Sequence, residues 1–352
     1  MRIVFLACLV VVFAGCSQTT SARHLPFAAQ AFAPERHGSG YQLLYSFKGS
    51  PDGASPIGGT LVTLHGWLYG TTAYGGANTF GTVYRVSTAG AENVLYSFQR
   101  SPDGWYPLAP LLDVDGTIYG TTNGGSPYNE GTVFKITPSG AESVVLGFYD
   151  LAQGAEPWAG LISHKGKLYG TTTLGGAGFG NVFETSTSGD EKVLYEFKNE
   201  PDGQQPSAPL TYFNGSFYGT TYAGGSGSCS GGCGTVYRIT RTGAESVLHS
   251  FTGTPDGATP GLSGLIAYHG VLYGTTRSGG SHNAGAVFEI TPAGQERILY
   301  NFQGPPDGQK PDATLLAYRG NLYGTTTVGG SGCGCGTVFS LTTSGTELVS
   351  GV

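Results

Sequence analysis

LYGTTAYGG occupies residues 68–76, and close copies of it return five more times. Tyr119, Tyr169, Tyr218, Tyr273 and Tyr323 each open a further YGTT, followed within a few residues by a Gly-Gly pair. Successive tyrosines stand about 50 residues apart, and a period of that size signals a repeat architecture. Within one repeat, GGTLVTLHGWLYGTT carries two alternating apolar runs around His65-Gly66. The same position holds Asp115-Gly116, Lys165-Gly166, Asn214-Gly215, His269-Gly270 and Arg319-Gly320. An X-Gly pair between two such runs predicts a tight hairpin, because Gly accepts positive φ. GTVYRVST alternates as a third strand, a turn follows at Ala89-Gly90, and ENVLYSF reads as a fourth. Each repeat is therefore expected to form four short antiparallel strands.

Repeated four-stranded units of this length predict an all-β protein, a β-propeller whose blades bury their faces by stacking. Six YGTT phrases predict six blades. The chain ends also bear on closure. The last repeat stops at GTVFSLTTSGTELVSGV, without the LYSF of its siblings. The segment YQLLYSF, residues 41–47, is an LYSF strand with nothing before it. The N-terminal strand 41–47 is thus expected to complete the last blade and shut the ring, removing two exposed edges. The alternative is that residues 347–352 form that strand themselves.

Bulk composition agrees with ordered β structure. The chain has 352 residues, with 61 Gly and 19 Pro, yet 39% are hydrophobic. A net charge of −6 and no basic cluster argue against a nucleic-acid partner, whose binding rests on Lys and Arg neutralising phosphates. The opening MRIVFLACLVVVFAGC has one basic residue, then an apolar run from Ile3 to Ala14, then Gly15-Cys16. That run suits a signal peptide, residues 1–15, rather than a span. The ending FAGC resembles a bacterial lipobox, which implies a lipidated Cys16 and anchoring by acyl chains alone. Ser17 after the cysteine, where Asp would imply inner-membrane retention, points to the outer membrane. Residues 16–40 then form the lipidated cysteine and a flexible tether, and residues 41–352 a single propeller domain, expected to be a monomer.

YGTTNGGSPYNEGTVFKITPSGAE and LYNFQGPPDGQKPDATLL complete the pattern. The chain resembles the GloVer tandem repeat of exported bacterial proteins over about residues 41–352, and its double Gly is more weakly similar to kelch blades. The resemblance implies an exported, propeller-like array in the cell envelope. It implies no reaction.

Candidate sites follow from the loops. SPDG stands between the fourth strand and the next blade at Ser50–Gly53 and Ser101–Gly104, and Pro201, Pro255 and Pro306 open further PDG copies, giving Asp103, Asp202, Asp256 and Asp307 besides Asp52. Ser, Pro and Gly at those offsets suit a type I turn; a ring of carboxylates would instead be able to hold Ca²⁺ or hydroxyl-rich ligands. DLAQGAEP breaks the series in the third repeat. The PDG and Gly-Gly loops are expected on one face, where binding usually resides. Residues that vary there include Tyr74, Phe80, Trp105, Tyr106, Tyr128, Trp158, Phe179, Tyr222, Arg277 and His282. Of these, Trp105, Tyr106, Tyr128, Trp158 and Tyr222 are candidates to stack on sugar rings, packing over loops being the alternative. Beyond Cys8 and Cys16, the cysteines are Cys229, Cys233, Cys333 and Cys335. Disulfides are expected in an oxidising compartment, with a zinc site or a redox pair as alternatives. The seven histidines show no metal spacing, and no metal or cofactor is expected. No nucleophile elbow or phosphate loop is present. The expected function is non-catalytic binding of a glycan or protein at the cell surface. An enzyme acting on extracellular polysaccharide, a hydrolase or lyase, is the alternative, and a structural spacer a third.

Overall fold

An X-Gly pair with both residues at positive φ closes the first hairpin of every repeat. His65 and Gly66 sit at φ 50° and 78°, and Asp115 and Gly116 at 51° and 82°. This is the left-handed pattern of a type I′ turn, whose twist matches that of the strands it joins. The computed structural model describes residues 42–332 and 334–345. Among them every regular element is a strand.

In the first blade, Val62–Leu64, Trp67–Thr72, Thr82–Ser87 and Glu92–Ser97 form an antiparallel meander in chain order. Four more four-stranded sheets of the same order follow, opening at Leu112, Ile162, Thr211 and Ile266. In all five, the ladder between third and fourth strands shifts register at a Val-aromatic pair, Val83/Tyr84 being the first. Such a bulge increases local twist. The first strands of successive blades lie beside one another.

Both faces of a blade are apolar, and the core lies in the seams between neighbours. Tyr69, Val83 and Phe98 of the first blade pack on Leu111, Ile118 and Phe134 of the second. Edge-on ring pairs mark successive seams: Phe98–Phe134 at 5.2 Å, Phe148–Phe183 at 5.2 Å, Phe197–Tyr237 at 4.9 Å. The YGTT phrase serves these seams residue by residue. Its Tyr fills the seam toward the next blade. Its Gly lies under an aromatic ring of the third strand; a Cβ on Gly120 would fall 2.5 Å from Phe134 Cζ. The first Thr donates to a carbonyl of the next blade, as Thr121 does to Ala159 O at 3.0 Å. The second bonds the third strand, as Thr72 does to Thr82 at 2.7 Å.

The sixth sheet, Leu316–Tyr318, Asn321–Thr326 and Thr337–Thr342, has three strands. Residues 42–47 carry no ladder, so the expected pairing of 41–47 with this sheet is absent among the described residues. Residues 347–352, which would form the alternative strand, lie outside the described residues, as do the expected signal peptide, Cys16 and the tether.

Candidate functional site

The PDG and Gly-Gly loops meet. Gly53–Ala54 pairs with Tyr74–Gly75, and Gly104–Trp105 with Gly124–Gly125; three later repeats do the same. Each PDG glycine lies against the second Thr of YGTT: a Cβ on Gly104 would fall 2.5 Å from Thr122 Cγ2. The two most repeated phrases are thus one packing unit. The peptide before each PDG proline is cis.

The PDG aspartates are bonded within their own seams. Asp103 Oδ2 accepts from Tyr96 Oη at 2.9 Å and Gln99 N at 2.8 Å. Asp52, Asp202 and Asp307 accept from Tyr45, Tyr195 and Tyr300 in the same way. In the third repeat Gln153 stands in, its Oε1 accepting from Tyr149 N at 3.1 Å. That explains how a repeat without PDG keeps the loop.

Among the described residues, a glutamate opening the next fourth strand faces the Asp52, Asp103 and Asp202 clusters, and Glu191 faces Asp150 in the third repeat. Burial, then the neighbouring Asp103 charge, pushes Glu142 up from its ordinary 4.5 to about 7, opposed by the Tyr96 hydrogen bond. Burial also raises Asp103. Glu191 and Glu245 are likewise pushed to about 7, by burial first and then by Asp150 and Asp202. At the first of these seams a groove of about 340 Å³ is lined by Tyr96, Asp103, Glu142 and Tyr149 among others.

A second cluster sits where the loops of the first two blades meet. Trp105 and Tyr106 rings lie 4.6 Å apart, and Tyr74 stands edge-on to Tyr106 at 5.0 Å. Tyr74 is 48% exposed. The Arg100 guanidinium lies 5.8 Å from the Phe80 ring and 5.9 Å from Trp105, within cation–π range. Trp105 fits because its ladder partner is Gly124, where a Cβ would fall 2.1 Å from the indole. Backbone bonds from Tyr106 N to Phe80 O and from Asn123 N to Tyr106 O pin the patch to both blades.

Of the other sequence candidates, Tyr128 is 63% exposed and stands edge-on to Tyr149 at 6.2 Å. Trp158 is half-buried, its Nε1 donating to Glu156 at 3.4 Å. Tyr222 is half-buried against Gly261, whose Cβ would fall 2.4 Å from Tyr222 Cα. Only Trp105 and Tyr106 among the five are brought together. Cys229 and Cys233 form a disulfide. Cys333 lies outside the described residues, so the expected Cys333–Cys335 pairing does too. Sequence reasoning missed the cluster His249, Asp256 and Glu296, whose possible ligand atoms all lie within 4.8 Å of one another. The recurring Tyr seven residues before Asp, replaced here by His, was the signal available.

A family model described as the Gloeobacter/Verrucomicrobia repeat matches residues 27–231 and 226–351. No curated protein matches. Among solved structures, a 6-phosphogluconolactonase-like protein of Bacteroides uniformis, itself described as putative, superposes with TM-score 0.51 at 14% identity, covering 84% of both chains. An α-L-arabinofuranosidase of Fusarium graminearum reaches 0.48 at 14% identity, over 84% of this chain and 95% of that one. A puromycin hydrolase reaches 0.44 at 13% identity; 86% of this chain is covered, and it spans 56% of the hydrolase. At such identities the first likeness concerns the fold alone.

Proposed function

The chain belongs to the Gloeobacter/Verrucomicrobia repeat family, and we propose that it is a non-catalytic binding module for glycans. The Tyr74–Trp105–Tyr106 patch carries this reading. Rigid aromatic side chains with one open face are the groups that stack on the CH surfaces of sugar rings, and little entropy is lost on binding. The exposed Arg100 beside them adds a donor for hydroxyl or carboxylate groups. Retention on a panel of bacterial and plant polysaccharides, assayed together with release of reducing ends, tests the reading. Retention without release is expected, with W105A lowering affinity at least about fivefold, since base–aromatic stacking, the nearest measured analogue, contributes about 1–3 kcal/mol. G124V, which would displace the indole from its seat, is expected to act in the same direction. Retention unaltered by both variants would reject the patch, and retention only of a protein would assign a protein partner.

The groove at Asp103 and Glu142 favours a second reading, hydrolysis of extracellular polysaccharide. A carboxyl near 7 beside another carboxyl is suited to general-acid work. Release of reducing ends that E142Q abolishes would establish it.

The same reading includes an exported lipoprotein held at the outer membrane through Cys16, supported by the apolar run before FAGC. It also includes a closed six-bladed ring. Phe47 stands edge-on to Tyr84 at 4.8 Å, as Phe98 does to Phe134. Gly90 rests on Leu44 O as Gly140 rests on Leu95 O. Leu43–Phe47 thus meets the first blade as a fourth strand meets the following blade. Val338, 82% exposed, takes the place of five valines that are fully buried in earlier blades, and it needs a cover. Phe47 is half-buried, and F47A is expected to lower stability by about 2 kcal/mol, less than the loss of a fully buried Phe, as read by urea unfolding. A loss under about 0.5 kcal/mol, the range of ordinary surface changes, would argue for an open array.

A further inference from the structure

We propose that His249, Asp256 and Glu296 bind a divalent transition-metal ion, Zn²⁺ by their ligand chemistry, at the seam between the fourth and fifth blades. At the corresponding positions the first, second, fourth and sixth seams in chain order carry Tyr45, Tyr96, Tyr195 and Tyr300, while Leu146 serves the third. His249 alone puts an imidazole nitrogen there. Its Nε2 lies 3.1 Å from Asp256 Oδ2. Nitrogen and oxygen ligands about 2.0–2.2 Å from a tetrahedral zinc lie roughly 3.3 Å from each other, so this pair already has the required spacing. Glu296 brings the third ligand within 4.8 Å, and its Oε1 is buried with no hydrogen-bond partner.

The surroundings hold the ligands in place. Asp256 Oδ2 accepts from Thr252 N at 2.9 Å and Thr252 Oγ1 at 3.2 Å, the kind of outer support that orients a ligating carboxylate. The Thr252–Asp256 loop is braced by the Cys229–Cys233 disulfide, since a Cβ on Gly253 would fall 3.5 Å from Cys229 Sγ. Two carboxylates balance a 2+ charge. One imidazole with two carboxylates suits Zn²⁺ better than Ca²⁺, which takes an all-oxygen shell of six to eight ligands. The ion would join the fourth strand of one blade, the following loop and the fourth strand of the next. Three protein ligands leave a coordination position open to solvent.

The test is Zn²⁺ titration of EDTA-stripped, purified protein against a chromogenic chelator, with thermal unfolding recorded in parallel. Wild type is expected to bind one Zn²⁺ and to melt higher with the metal than without. H249Y restores the tyrosine of the other seams; it is expected to keep the metal-free melting temperature while binding Zn²⁺ at least about tenfold more weakly. E296Q, which removes a charge that burial disfavours, is expected to fold and to show the same loss. Equal Zn²⁺ affinity in wild type and both variants, or no binding by wild type, would overturn the proposal. His249 would then be only a hydrogen-bond donor to Asp256.

Discussion

G120V lowers the stability of the protein by about 3 kcal/mol or more, the upper range for overpacking a filled core. Gly120 is the glycine of the second YGTT, and a Cβ there falls 2.5 Å from Phe134 Cζ, 2.7 Å from Cε1 and 2.9 Å from Leu111 Cδ2. None of these atoms is the free end of a mobile side chain. Phe134 is fully buried and stands edge-on to Phe98 across the seam, so its ring has no room to retreat. Valine adds two further methyl groups, and its stiff χ1 leaves few ways around the clash. Urea unfolding of G120V, F134L and the double variant would measure the effect. The contact predicts that F134L, which withdraws the ring edge, recovers part of the loss in the double variant. Additive losses would mean that Gly120 is not held by Phe134.

Raising the pH from 5 to 8 lowers the melting temperature, and replacing Glu142, Glu191, Glu245 and Glu296 by Gln flattens that dependence. Burial leads the shift of all four, from the ordinary 4.5 to about 7. Between those values the folded chain binds more protons than the unfolded chain. Stability therefore falls as pH rises through that window, and is level below and above it for these groups. Glu92, Glu130, Asp103 and Asp202 are raised by burial in the same direction. Asp256, where burial is outweighed by the His249 hydrogen bond and charge, is held low and weakens the fold only in stronger acid. Melting curves of metal-free wild type and the quadruple Gln variant across pH 5 to 8 decide the matter. Parallel dependences would mean that these carboxyls are ionised in the fold at neutral pH.

The seam carboxyls also show why the site was harder to read than the fold. The Tyr-to-Asp bond spans seven residues and lies in the repeated LYSF-to-PDG phrase, so its signal was present in the sequence. A type I turn accounted for that phrase without the bond, and the side-chain role went unread. Glu142 meets Asp103 only because two blades stack, and no local pattern announces that contact. Among the aromatics, Trp105 and Tyr106 are adjacent in sequence, yet Tyr74 reaches them from another blade. Trp158 and Tyr222 are loop aromatics of the same kind in the sequence, yet Trp158 bonds Glu156 and Tyr222 packs against Gly261.

By itself the sequence determined the strands, the X-Gly hairpins and the repeat, since alternation and positive-φ turns act within a few residues of chain. It also placed the PDG and Gly-Gly loops on one face, which a four-stranded meander requires. Tertiary structure alone decided that each PDG glycine rests on a YGTT threonine, that Gly124 seats Trp105, and that His249 meets Glu296. Those pairings depend on how sheets stack and which side chains fill each seam. Packing is a property of surfaces brought together from distant parts of the chain, and residue order specifies it only through the completed fold.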